Sequence, residues 1–124
     1  MKKNFPDLAL LILRLGASGL MLTHGIPKVN MLLASPIQFS DPLGIGAIPS
    51  LIGVLIGEVI APLFIIIGFK TKIATIPTII TMAVAAFVVH ANDSIDVKEK
   101  ALLFLVCFIV ILLAGPGRFS VDKR

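Results

Sequence analysis

Five residues of this chain are out of place for their surroundings: Arg14, His24, Lys28, Glu58 and His90. All lie within or at the ends of long apolar runs, where an ionisable group is costly unless it is paired, hydrogen-bonded or wetted. Glu58 stands in the middle of LIGVLIGEVIAPLF. Arg14 stands inside LALLILRLGASGLMLTHGIPK, which closes on His24, Gly25, Pro27 and Lys28. A carboxylate at such depth takes up a proton when alone and stays charged when a cation pairs with it. The chemistry open to the set is therefore proton handling and hydrogen bonding to a ligand.

Spacing begins to arrange these groups. At about 100° per residue, Arg14, Ser18, Met21, His24 and Lys28 fall on one helix face. Glu58 lies about 16 Å from the helix end at Phe69 and Arg14 about 10 Å from Asp7, so their depths differ by about 6 Å. Two readings of Arg14 follow: it pairs with Glu58, or its stem snorkels to the headgroups at the N-terminal end. Pro62 has no N–H and deprives the Glu58 carbonyl of its usual helical partner. Gly53, Gly57 and Ala61 have the small-xxx-small spacing that lets another helix come close. Gly25 and Pro27 predict that the first helix ends or breaks at His24-Gly25-Ile26-Pro27-Lys28. His90 closes the third apolar run and should emerge at the level of His24. Each feature has a plainer reading: a charge pair that only fixes helix register, and histidines that only sit at the interface. Two histidines and a glutamate at different depths, with no HxxxH or ExxH spacing, do not make a metal site. No flavin, nucleotide or iron–sulfur motif is present, so no cofactor is expected in the chain itself.

The elements that must hold these groups follow from composition. Of 124 residues, 57% are hydrophobic and 15% charged, against about 45–50% and about 25% in ordinary globular chains. The mean hydropathy is +1.05. A soluble domain this small cannot bury that excess, so the natural solvent is lipid. The charge of +4 comes with no Trp, no Tyr and no basic stripe, which argues against nucleic acid. Cys107 has no partner for an intrachain disulfide.

Apolar runs at roughly 8–23, 48–69, 73–89 and 101–114 predict an all-α integral membrane four-helix bundle, one domain over 1–124. The expected helices cover about 7–24, 48–69, 72–90 and 97–115, with an apolar outer loop over 28–47 that caps the outer end. The first run resembles a signal peptide but reads as a retained helix, because more membrane sequence follows. Lys98, Glu99 and Lys100 can extend the short fourth run by snorkelling. That run, ALLFLVCFIVILLA, reads as lipid-facing scaffold. Thr75, Thr78 and Thr81 surround Pro77 and should satisfy its kink. Lys2, Lys3, Lys70, Lys72, Arg118, Lys123 and Arg124 belong on one side by the positive-inside rule, which makes both termini cytoplasmic. The tail Gly115-Pro116-Gly117-Arg118-Phe119-Ser120-Val121-Asp122 stops the last helix. Ser120 and Asp122 should tie it by local hydrogen bonds, and nothing in it is catalytic.

These features together resemble the DoxX family of small bacterial four-helix membrane proteins. The resemblance rests on Arg14 with His24-Gly25-x-x-Lys28, Phe39-x-Asp41-Pro42-Leu43-Gly44-Ile45-Gly46, Glu58, His90 and the Gly115–Asp122 tail, and it covers essentially the whole chain. It implies a multi-pass protein of the bacterial plasma membrane. It also implies quinone-linked redox work: a thiosulfate:quinone oxidoreductase small subunit, tolerance to catechols and quinones, or oxidative-stress complexes. The chain lacks the extra domain of the larger thiosulfate-oxidising relatives, which argues against full enzymatic competence alone. Quinone is the expected ligand, at a site drawn from Arg14, His24, Lys28, Glu58 and His90. Expected partners are the lipid bilayer, a protein of a redox complex and further copies of the chain. The alternatives are a non-catalytic scaffold or accessory subunit, and a small-molecule transporter.

Overall fold

The structure is a computed structural model and describes residues 5–33, 39 and 41–123. The basic residues Lys2, Lys3 and Arg124, and the Ser35-Pro36 turn, lie outside the described residues. Among the described residues the fold is all-helical. Helix α1 spans Phe5–Val29 and runs on as a 3-10 turn, Asn30–Leu33. Helix α2 spans Ala47–Ile67, α3 spans Thr71–Val89, and α4 spans Ile95–Ala114. Three helices, Phe5–Leu33, Ala47–Ile67 and Thr71–Val89, are long and apolar enough to cross a membrane. In α4, Asp96, Lys98, Glu99 and Lys100 occupy the first turns and shorten its apolar stretch.

Local sequence explains how each helix is built. Asp7 in the first turn of α1 and Lys28 in the last complement its dipole. Contrary to expectation, α1 does not end at the His24–Lys28 motif. Pro27 lies inside the helix, close enough to its end that the missing N–H costs one hydrogen bond and no further turn. Gly25 is not in the left-handed region; it serves close packing instead. Helix α2 contains a π turn, Ile56–Ile60, immediately before Pro62, with the Ala61 N–H bonding the Ile56 carbonyl. The wider turn absorbs the proline, a usual origin of π bulges. Gly68, at φ +73°, ends α2 in a left-handed cap, with the Phe69 N–H donating to the Phe64 carbonyl at 3.0 Å. A second π turn, Ala85–Val89, ends α3.

The core joins all four helices: Ala17 and Met21 of α1, Ala61 and Ile65 of α2, Ala74 and Met82 of α3, and Phe104, Phe108 and Ile111 of α4. Helix α4 is therefore not simply lipid-facing scaffold. Its 104/108/111 stripe is a helical face packed inward, while Leu103, Val106 and Leu113 point out. Helices α2 and α3 cross at Gly57, where a Cβ would strike Thr81 and the Pro77 carbonyl, the latter at 2.8 Å. Thr78 donates to the Gly57 carbonyl at 2.6 Å. Thr81 and Thr75 bond the Pro77 and Lys72 carbonyls of their own helix. None of the three bonds the Ile73 carbonyl, the one that Pro77 leaves without a helical donor, and Thr78 instead ties the two helices together.

One end of the bundle gathers the start of α1, the α2–α3 turn and the tail. The Arg118 N–H donates to Asp7 at 3.1 Å. Asp122 accepts from the Lys70 and Thr71 N–H groups at 3.0 and 2.9 Å, and so caps α3. The Val121 and Asp122 N–H groups donate to the Ile67 and Gly68 carbonyls. Ser120 does bond locally, to the Gly117 carbonyl and the Lys123 N–H, but Asp122 reaches across the fold.

At the other end, Asp41 organises the described part of the outer loop. Its carboxylate accepts from the Ile45 N–H at 2.9 Å, the Gly46 N–H at 2.8 Å and the Ser50 hydroxyl at 3.0 Å. Phe39, Pro42 and Leu43 thereby lie over a cavity of ≈ 340 Å³ between α2 and α3. Slight desolvation pushes the Asp41 carboxyl up, but the Gly46, Ser50 and Ile45 hydrogen bonds outweigh it and hold its pKa below the ordinary value. A depressed folded pKa contributes stability that is present above the ordinary carboxylate range and lost as pH falls through the lowered value. The amide resonances of Ile45 and Gly46 should therefore stay fixed from neutral pH down to about 4 and move only below it. Movement between pH 7 and about 5 would contradict this. Asp41→Asn should displace both signals at neutral pH.

Candidate functional site

Glu58 sits on the π turn of α2, facing α1. Its side chain is 6% exposed and pairs with Lys28, Nζ to Oε1 at 2.8 Å, while the Lys28 side chain is 30% exposed. The pair forms because Gly25, one turn earlier, brings the backbones together: a Cβ there would press on the Glu58 carbonyl, 2.7 Å from its carbon. Side chains of a helix tilt toward its N-terminus. Lys28 thus reaches back from the C-terminal end of α1 to meet a carboxylate about a turn below it. His24, half-buried, stands beside the pair with its ring edge-on to Phe104 of α4 at 5.7 Å. The charges of Lys100, Glu58 and Lys28 all act on it. The Lys28–Glu58 pair thus joins α1 to α2, and the His24–Phe104 contact joins α1 to α4.

Arg14 is not part of this cluster, and it neither pairs with Glu58 nor snorkels. It is 1% exposed. Nε donates to the Ile65 carbonyl at 3.0 Å and Nη2 to Ile66 at 2.7 Å. Nη1 donates to the Pro116 and Phe119 carbonyls, both at 3.0 Å. The same tilt that brings Lys28 to Glu58 carries the Arg14 side chain away from it, toward the basic end. There the guanidinium fork meets the Ile65 and Ile66 carbonyls in the last turn of α2, at the negative end of that helix dipole. Helical N–H donors run short there, and of these two carbonyls the Gly68 N–H reaches only Ile65, at 3.1 Å. Arg14 is a buried clasp between α1, α2 and the tail.

His90 is also elsewhere. Its Nδ1 lies 2.7 Å from Asp93 Oδ2 in the α3–α4 turn, on an exposed surface, and it makes no bond to Glu58 or Lys28. The π turn before it shifts the helix phase that a regular count assumes. Midway along α1, Ser18 is fully buried and its hydroxyl has no hydrogen-bond partner among the described residues. Of the five expected site residues, His24, Lys28 and Glu58 come together. Lys100, expected to snorkel, is exposed in the first turns of α4. Among the described residues no three of His, Cys, Asp and Glu gather closely enough to hold a metal ion.

The DoxX family profile matches residues 9–91. The chain belongs to the DoxX family. The matched region contains Arg14, His24, Lys28, Glu58 and His90, whereas two of the Arg14 acceptors, Pro116 and Phe119, lie beyond it. An uncharacterized protein of Haemophilus influenzae is 28% identical over 122 residues, covering 92% of this chain and 81% of its own. Inner membrane protein YqjF of Escherichia coli is 27% identical over 127 residues, covering 98% of this chain and 95% of its own. No solved structure matches the chain. The DoxX assignment, the inner-membrane relative and the three long apolar helices make this a multi-pass protein of the bacterial inner membrane.

Proposed function

We propose that this DoxX protein is a quinone-interacting component of a bacterial membrane redox system, with His24, Lys28 and Glu58 as its site. The observation that carries this reading is the Lys28–Glu58 pair, a carboxylate and ammonium at 2.8 Å inside an otherwise apolar bundle, with a histidine alongside. A quinone head needs hydrogen-bond donors for its carbonyl oxygens, an acceptor for its hydroxyls when reduced, and an apolar or aromatic wall. Lys28 and His24 supply donors, Glu58 supplies the acceptor, and Phe104 supplies the wall. When bound, the quinone would supply the two-electron chemistry. The protein residues orient it, and Glu58 and His24 can take up or release the accompanying protons. All four helices cross the membrane in this reading, with both termini cytoplasmic. The gathering of Lys70, Lys72, Arg118 and Lys123 at the end that also holds Asp7 supports it.

Purified protein should bind a soluble ubiquinone analogue, and Glu58→Gln and His24→Ala should each weaken binding about tenfold, the worth of one good hydrogen bond to a charged group. Undiminished binding in both variants would reject the site. A second reading, a non-catalytic accessory subunit, is favoured by Gly25, because its close contact with Glu58 lets the same cluster fix helix register. A stoichiometric redox partner in every purification, with no quinone bound by the isolated chain, would select that reading.

A further inference from the structure

A second polar pocket lies at the basic end, away from the Lys28–Glu58 site. It measures ≈ 270 Å³ and is bordered by Lys70, Thr71, Lys72, Ile73, Pro116 and Asp122. It opens at the start of α3, a 19-residue helix, where first-turn N–H groups have no acceptor within the helix. Asp122 takes the N–H groups of Lys70 and Thr71. Those of Lys72 and Ile73 bond no acceptor among the described residues. Thr71 is fully buried against this pocket, and its hydroxyl also has no hydrogen-bond partner among the described residues. Buried hydroxyls normally have partners, so this one is an independent sign of a ligand. Two lysines against the Asp122 carboxylate leave one net positive charge on the lining.

Lys70 and Ile73 also border an apolar groove of ≈ 180 Å³ between α2 and α3, walled by Ile60, Phe64 and Pro77. Ile56 and Pro77 in turn border the ≈ 340 Å³ cavity beneath the outer loop. Shared residues join the three edge to edge. The α2–α3 seam is thus polar and cationic at one end and apolar along the rest of its length.

We propose that this seam binds an anionic phospholipid, with its phosphodiester at Lys70, Lys72 and the first turn of α3 and one acyl chain along the groove. Amide N–H groups at a helix start and lysines are the ordinary ligands of phosphate. One negative charge matches the single net positive charge of the lining. Inorganic phosphate offers the same head chemistry without a chain, and a zwitterionic lipid offers the chain without the net charge. Lys70 also lies 5.6 Å from the Phe69 ring, a combination suited to headgroup depth.

The test uses the full chain in nanodiscs of phosphatidylethanolamine, with and without phosphatidylglycerol, and in detergent with inorganic phosphate. Native mass spectrometry should show phosphatidylglycerol retained over phosphatidylethanolamine by about tenfold, as two lysines at an anionic headgroup imply. Lys70→Gln with Lys72→Gln should abolish that preference, and Ile60→Trp, which fills the groove from an exposed position, should reduce retention of phosphatidylglycerol. Each single lysine variant should lose part of the preference, which keeps the test decisive if the double variant does not fold. Equal retention of the two lipids, an unchanged preference in the lysine variants, or protection by inorganic phosphate equal to that by phosphatidylglycerol would overturn the proposal. The quinone experiment is independent, because none of these residues lines that site.

Discussion

Arg14→Leu should destabilise the protein by about 3–5 kcal/mol, the usual cost of removing one partner from a buried charged network. The guanidinium donates to four carbonyls in two segments far apart in sequence. Leucine would fill part of the space and take the guanidinium from the Ile66, Pro116 and Phe119 carbonyls, while Ile65 keeps the Gly68 N–H; each unmade buried bond costs about 1–3 kcal/mol before relaxation. Relaxation through the tail recovers some of that, so the expected loss stays below the sum. Arg14→Lys keeps the charge but offers one nitrogen in place of a planar fork. It cannot span the end of α2 and the tail together, and should recover less than half of the loss. Thermal unfolding in detergent micelles measures both, and trypsin cleavage at Arg118 should accelerate as the tail comes free. A leucine variant that melts with wild type would show the clasp to be energetically idle.

Gly25→Ala is the second large effect expected, and it has internal controls. The added Cβ meets the Glu58 carbonyl of α2, backbone against backbone, with no flexible side chain to yield. Overpacking of this kind costs about 1–3 kcal/mol, and separating the helices also draws Lys28 off Glu58. Gly16 and Gly19 lie on the same helix, with nothing within 4 Å of where an alanine methyl would stand. Alanine at either should be neutral or stabilise by up to about 1 kcal/mol through helix propensity. Melting temperatures of the three alanine variants should thus split in opposite directions. If Gly25→Ala behaves like Gly19→Ala, α1 and α2 do not approach as closely as described.

Much of this fold was legible from the apolar runs, because lipid leaves helices as the main way to satisfy a backbone. The stripe Arg14, Ser18, Met21 on α1 was equally legible: all three are buried on one face. Pairing was harder. Counting depth by Cα positions put Arg14 near Glu58, but a long side chain ends a turn away from its Cα, in a direction fixed by the helix. Applied to Arg14 and Lys28, that rule selects the partners seen here. The extent of α1 past Pro27 was not legible, because the same His-Gly-x-Pro letters suit a helix end and a tight helix crossing. The phase of His90 depended on a π turn that has no sequence signal of its own.

The Arg14 clasp also dictates an order of events during synthesis. Its acceptors at Pro116 and Phe119 lie more than a hundred residues downstream, so they leave the ribosome long after α1 does. Until then α1 must reside in the membrane with half of its guanidinium bonds unmade, in water or against the insertion machinery. Closing the clasp is therefore a late, post-insertion step, and a chain stalled or cleaved before Pro116 would hold an incompletely satisfied cation that marks it as unfinished.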